Sequence, residues 1–199
     1  MGKNNVVGKF VEPFTNREVA RIKRALIKNN EKRNFCLFVL GINQGLRTTE
    51  LLNLKIADVQ NAQIGDSICL TEQKTGKDNY IYINNVSFAA IQNYLNTIYE
   101  YETEDYLFKS RSGNKAITGH QLGRLIKDWC KYARIKDASK YGTRSLRKTF
   151  ATMNYELSEN KNIMESLGQR FNHCSVPSVL PYLGTRQQTP NNIDLFWDK

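Results

Sequence analysis

The chain reads as a mainly α-helical domain with a small antiparallel β-sheet, an α+β arrangement, and three observations predict it. Two capping-box patterns, Thr15-Asn16-Arg17-Glu18 and Thr118-Gly119-His120-Gln121, open runs with apolar residues at helical spacing. One pair of short β-type runs, Ser67–Thr71 and 79–83, flanks Lys74-Thr75-Gly76-Lys77, where Gly76 supplies turn backbone. No internal repeat or low-complexity tract interrupts the pattern.

Taken in order, residues 1–12 form an irregular N-terminal arm. A helix starts near Asn16, its apolar side carrying Val19, Ile22, Ala25 and Leu26. A second, over about 32–42, is apolar on most faces and so belongs in the core. Gly45 ends it, and Thr48 or Thr49 is placed to cap the next helix, through Leu54. After the two strands, 86–99 reads as a helix with Ala89, Ala90, Tyr94, Leu95 and Ile98 inward. Tyr106-Leu107-Phe108 suggests a short strand and 110–114 a loop. Helices follow at 118–133, 143–157 and 159–169, the last capped by Ser158. A final short helix begins after Ser175, with Pro177 in its first turn.

Among 199 residues, 29 Lys and Arg against 19 Asp and Glu give a formal charge of +10. The charge is clustered: residues 109–148 hold twelve basic side chains against Asp128 and Asp137. Such a cluster favours a polyanion, because neutralising phosphates releases condensed counterions. The four cysteines, Cys36, Cys69, Cys130 and Cys174, are scattered without metal-ligand spacing, so no metal is expected and buried thiols are. No apolar run approaches the roughly 20 residues of a membrane helix, and no signal-peptide region follows Met1, so no membrane association and a cytoplasmic location are expected.

The residues that carry chemistry are two Arg, one His and one Tyr, with a Lys at a hairpin tip. Arg47 lies in Gly45-Leu46-Arg47-Thr48-Thr49-Glu50-Leu51, between a helix stop and a helix start, where guanidinium and backbone N–H groups together suit a phosphate. A surface ion pair with Glu50 is the alternative for that Arg. Arg147 lies in Leu146-Arg147-Lys148-Thr149-Phe150-Ala151-Thr152, and its planar fork can clamp two phosphate oxygens. His173 follows Phe171-Asn172, and Tyr182 precedes Leu183-Gly184.

In order and spacing these segments resemble the tyrosine recombinase (phage integrase) family, over residues 13–185. The resemblance implies the catalytic-domain fold of the DNA breaking-rejoining enzymes. It implies a site-specific recombinase that cleaves and rejoins DNA through a 3′-phosphotyrosyl intermediate. Tyr182 would be the nucleophile. Arg47, Arg147 and His173 would stabilise the five-coordinate phosphorus. Lys74, favoured over Lys77, would protonate the leaving 5′ oxygen. No cofactor is implied, since the phosphotyrosine conserves bond energy. The implied partners are double-stranded DNA and further copies of the chain, four in the synaptic complex. Lys77, Arg111, Arg124, Lys127 and Lys148 are the expected DNA contacts outside the centre.

Three departures stand against that pattern. Arg144 occupies a position where the family most often has His; it cannot accept the phenolic proton, though it can contact phosphate. Pro181 stands where an Arg usually precedes the Tyr, and within a helix it would cost a backbone hydrogen bond. The N-terminal DNA-clamping domain usual in the family is not expected in this chain. The tail 186–199 holds Ile193, Leu195, Phe196 and Trp197, a cluster to be docked on its own or a neighbouring domain. These departures leave a second reading, a DNA-binding module of the same fold with weak or no turnover. A type IB topoisomerase is a third.

Overall fold

The computed structural model describes residues 10–71, 76, 78–111, 113–171 and 178–183. Its helices are α1 (Asn16–Lys28), α2 (Lys32–Gln44), α3 (Thr48–Leu52), α4 (Ile56–Val59), α5 (Asn85–Leu95), α6 (Gly119–Tyr132), α7 (Thr143–Leu157) and α8 (Ile163–Arg170). Strands β1 (Ser67–Thr71) and β2 (Asp78–Tyr82) pair antiparallel between α4 and α5, with Cys69 opposite Tyr80. Short 3₁₀ turns occur at Ala138–Lys140 and Leu180–Tyr182.

The chain closes around α2. Cys36, Leu37, Phe38, Val39 and Leu40 are all fully buried, which accounts for a helix apolar on most faces. The helices α1, α5 and α7 pack on α2. The approach of α7 is close: a Cβ at Gly41 would meet Leu146 Cδ1 at 2.7 Å. Trp129 of α6 and Phe14 from the arm before α1 meet Phe38 edge-on, at 5.6 and 5.9 Å between ring centres. Each fully buried large side chain of this kind contributes about 1.5–3 kcal/mol relative to exposure. A second, smaller cluster is built by Phe150, Ala151, Ile163, Leu167, Phe171 and Val179, with Tyr182 and Leu183 packed against it.

The capping boxes at Thr15 and Thr118 form as their sequences predict. The start of α3 is different. Neither Thr48 nor Thr49 caps it; Arg47 takes the cap position, and its N–H donates to Glu50 Oε2 at 2.6 Å. The fifth helix stops at Leu95, short of the expected end, and Ala89 is exposed while Ile91 is buried. Tyr106 and Lys109 make isolated bridges, to Lys55 and Ala116, in place of a strand. The eighth helix starts at Ile163 because two side-chain turns precede it. Asn160 N–H donates to Ser158 Oγ, and Asn162 N–H to Asn160 Oδ1, each at 2.9 Å. The expected helix start after Ser175 and the tail 186–199 lie outside the described residues.

Candidate active site

The site is assembled where the C-terminus of α2, the N-terminus of α3, the body of α7 and the end of α8 meet. Gly45 makes that junction possible. Its φ of 60° lies in the left-handed region, and it ends α2. A Cβ there would lie 2.5 Å from Phe150 Cδ1. The Gly45 carbonyl accepts a hydrogen bond from Arg147 Nη1 at 2.7 Å.

Arg147 sits mid-helix on α7 and is 5% exposed. Its Nη2 donates to the Phe171 carbonyl at 3.2 Å. The Phe171 ring lies 4.0 Å from the guanidinium carbon, and the Tyr182 ring 5.4 Å from it. Burial lowers its pKa to about 10, against the favourable charges of Tyr182 and Glu50. A guanidinium so desolvated is a strong partner for an anion.

Arg47 approaches from the α3 side. Its Nη1 donates to Glu50 Oε1 at 2.8 Å, and its Nη2 to the Phe171 carbonyl at 3.4 Å. A third of its side chain remains open (34%), whereas Glu50 is 8% exposed. The ion pair with Glu50, read from the sequence as the alternative for Arg47, therefore exists, though Glu50 is buried and only the Arg47 side chain is partly open.

Tyr182 ends the second 3₁₀ turn, half-buried, with its ring 4.9 Å from that of Phe171. Its N–H donates to the Val179 carbonyl at 2.8 Å. Pro181 lies in the first turn of this short element, where a missing N–H breaks no helix-interior bond. The cost expected for a proline inside a helix is therefore not incurred. Arg144 lies on α7 three positions before Arg147, exposed, with no hydrogen bond or ion pair among the described residues. Lys74, Lys77 and His173 lie outside the described residues.

The other expected DNA contacts divide. Arg111 and Arg124 are exposed and line a cleft of about 800 Å³ with Trp129 and Tyr132, and Arg124 Nη2 is 3.0 Å from His120 Nδ1. Lys127 is spent internally, its ammonium donating to the carbonyls of Ala138 and Tyr141. Lys148 is 6% exposed, with its ammonium 3.9 Å from the Phe10 ring centre.

Sequence reasoning missed a layer beneath Arg47. Asn79, on the inner face of β2, donates from Nδ2 to Glu50 Oε2 at 3.2 Å. The Asn79 Oδ1 accepts from Arg170 Nη1, and Arg170 Nη2 donates to the Gln44 carbonyl. The Gln44 side chain in turn pairs with the backbone of Tyr82, Nε2 to O at 2.8 Å and Oε1 from N–H at 3.0 Å. The signal for Asn79 was present: a polar residue at an inward position of an alternating strand. Among the described residues, no group of three or more His, Cys, Asp or Glu could hold a metal, and no helix is long and apolar enough to cross a membrane.

Comparison with known proteins decides the lineage. The phage integrase family profile matches residues 12–188. The chain belongs to the phage integrase family. It is 32% identical over 184 residues to the probable integrase/recombinase YoeC of Bacillus subtilis (strain 168), covering 90% of this chain and 93% of that protein. It is 31% identical over 173 residues to tyrosine recombinase XerA of Pyrococcus furiosus, covering 85% of this chain and 56% of that one. A crystal structure of XerA recombinase superposes with a TM-score of 0.69 at 25% identity, over 87% of this chain and 60% of that chain. The fold is also that of XerH bound to its difH substrate before cleavage, with a TM-score of 0.68 at 21% identity, over 87% of this chain and 50% of that one. The expected mainly helical fold with a small antiparallel sheet is thus that of tyrosine-recombinase catalytic domains. The chain spans about half the length of the larger relatives, and nearly all of the Bacillus one.

Proposed function

We propose that this phage integrase family member is a site-specific DNA recombinase that cuts and rejoins DNA through Tyr182. The observation that carries the reading is the convergence of three candidate side chains. Arg47 and Arg147 donate toward one oxygen, and the Tyr182 ring flanks the Arg147 guanidinium at 5.4 Å. Two guanidiniums aimed at one point suit a phosphoryl group whose charge grows in the transition state.

In the proposed step, Tyr182 Oη attacks the scissile phosphorus. The Oη–P bond forms and the bond from phosphorus to the 5′ oxygen breaks, leaving a 3′-phosphotyrosine and a 5′-hydroxyl. Lys74 gives its proton to the leaving oxygen. The phenolic proton passes to solvent, since Arg144 stays protonated. His173 hydrogen-bonds the phosphate. Arg111 and Arg124 meet the DNA backbone outside the centre, whereas the internal bonds of Lys127 and the burial of Lys148 weigh against both as free phosphate contacts. Reversal on a second strand rejoins the DNA, within a tetramer on two duplexes. A module with weak turnover is the second reading, favoured by Arg144 alone.

The experiment is covalent trapping on nicked suicide duplexes drawn from DNA flanking the gene. An adduct that resists detergent and disappears in Tyr182→Phe establishes the reading. Binding without an adduct leaves the DNA-binding module.

A further inference from the structure

Arg170 is a charged side chain for which the proposed chemistry has no direct use. It closes α8 and is half-buried, and the loss of solvent lowers its pKa to about 10. Burying a guanidinium is costly unless its donors are satisfied. Its hydrogen-bond partners among the described residues are neutral: the Asn79 side chain and the Gln44 carbonyl. Glu50 is a favourable charge for Arg170 through space, and Asn79 is hydrogen-bonded to both.

The bonds run in series across three elements. Asn79 Oδ1 on β2 accepts from Arg170 of α8 and from the Tyr80 N–H, the latter at 3.0 Å. Together they fix the direction of Nδ2, which donates to Glu50 Oε2 at 3.2 Å. Glu50 on α3 holds Arg47 twice, at the guanidinium and at the backbone N–H. An amide has two ends of opposite polarity, so the bond at one end decides which group faces the other. Without Arg170 a single donor, the Tyr80 N–H, is left to keep that oxygen turned away from Glu50, which it would repel. The other prong of Arg170 ties the same side chain to the last turn of α2, next to Gly45.

We infer that Arg170 is a positioning residue that sets the direction of Arg47 through Asn79 and Glu50. The inference rests on the recombinase reading for its effect on cleavage, but not for its effect on Arg47. A two-pronged planar donor is needed, because one ammonium does not hold Asn79 Oδ1 and the Gln44 carbonyl in the same fixed geometry.

Two variants of the full chain decide it, Arg170→Lys and Asn79→Asp. The second keeps, and strengthens, the anchor between β2 and α8, but sets a carboxylate against Glu50. A purely structural anchor predicts that Asn79→Asp is silent. Positioning predicts that the Nε–Hε resonance of Arg47 moves in both variants while the melting transition stays cooperative. It also predicts that single-turnover cleavage of a nicked duplex falls about 10²-fold, with DNA affinity little changed. An unmoved Arg47 resonance in Asn79→Asp overturns the inference whatever the cleavage rates. Native-rate cleavage by that variant overturns it equally. A native chain that forms no adduct defeats the recombinase reading, while the Arg47 resonance still decides this one.

Discussion

Arg47 and Arg147, a hundred positions apart in sequence, donate to the same atom, the carbonyl oxygen of Phe171, at 3.4 and 3.2 Å. One neutral oxygen therefore holds two guanidiniums in register. A phosphate oxygen is a stronger acceptor for both, because it sets a negative charge against donors that are already ionised and can be gripped by the planar fork.

From this follows a first expectation. In Arg147→Lys the fork that reaches Gly45, Phe171 and a phosphate at once is gone. Single-turnover cleavage should drop by about 10²–10³-fold, with DNA affinity changing far less. Quench-flow on a nicked duplex, paired with a filter-binding titration, checks it. Equal losses in rate and affinity would assign Arg147 to binding alone.

Arg144 is exposed and close in sequence to Arg147, so a substitution there disturbs little packing. Arg144→His should raise the cleavage rate near neutral pH by giving the phenolic proton an acceptor. It should also introduce a rate limb near pH 6.5, as the new imidazole protonates. A pH–rate profile flat across that range in both proteins would remove this position from proton transfer.

Gly45→Ala should destabilise the domain by about 2–4 kcal/mol, because strain and overlap combine there. The backbone is left-handed, and the new methyl would meet the Phe150 ring at 2.5 Å. Urea unfolding measures the loss. Adding Phe150→Ala should relieve the overlap but not the strain, so the double variant falls short of additivity.

Glu18 links the start of α1 to Tyr141. Burial raises its pKa, but bonds from the Thr15 backbone, the Tyr141 hydroxyl and the Thr15 side chain outweigh that, so the carboxyl sits below its ordinary 4.5. The unfolded chain then binds the proton first as pH falls. Stability from this group is present above pH 4.5 and is lost as pH drops through the lower folded value. Glu18→Gln should be less stable than the native chain at pH 7, with the difference closing in acid. A difference constant from pH 7 to 3 would contradict the assignment.

How much of this was legible in the residues differs by kind of information. Local signals were reliable where the chain alone satisfies its ends: the boxes at Thr15 and Thr118, the left-handed Gly45, and the β1–β2 pair within one residue. The segments of Arg47 and Arg147 stood out because their neighbours form dense motifs, and the two side chains do meet at the Phe171 carbonyl. Boundaries failed where side chains from elsewhere compete for backbone. Glu50 captured the Arg47 N–H and displaced the threonines as caps. The roles of Lys127 and Lys148 were also hidden, since charge shows that a residue is basic but not whether a carbonyl or a ring already holds it. Arg170 was invisible for the same reason: its partners, Asn79 and Gln44, lie 91 and 126 positions away.

The division of the interior into two apolar clusters has a consequence for how the molecule opens. Tyr182 and Leu183 rest on the small cluster of Phe150, Phe171 and Val179, not on the one around α2. A cooperative unit of that size has a lower opening free energy than the whole domain. Amides of α8 should therefore exchange with solvent ahead of those of α1 and α2. The chain thus has a hierarchy of persistence, in which the segment bearing the tyrosine is released first and the scaffold bearing Arg47 outlasts it.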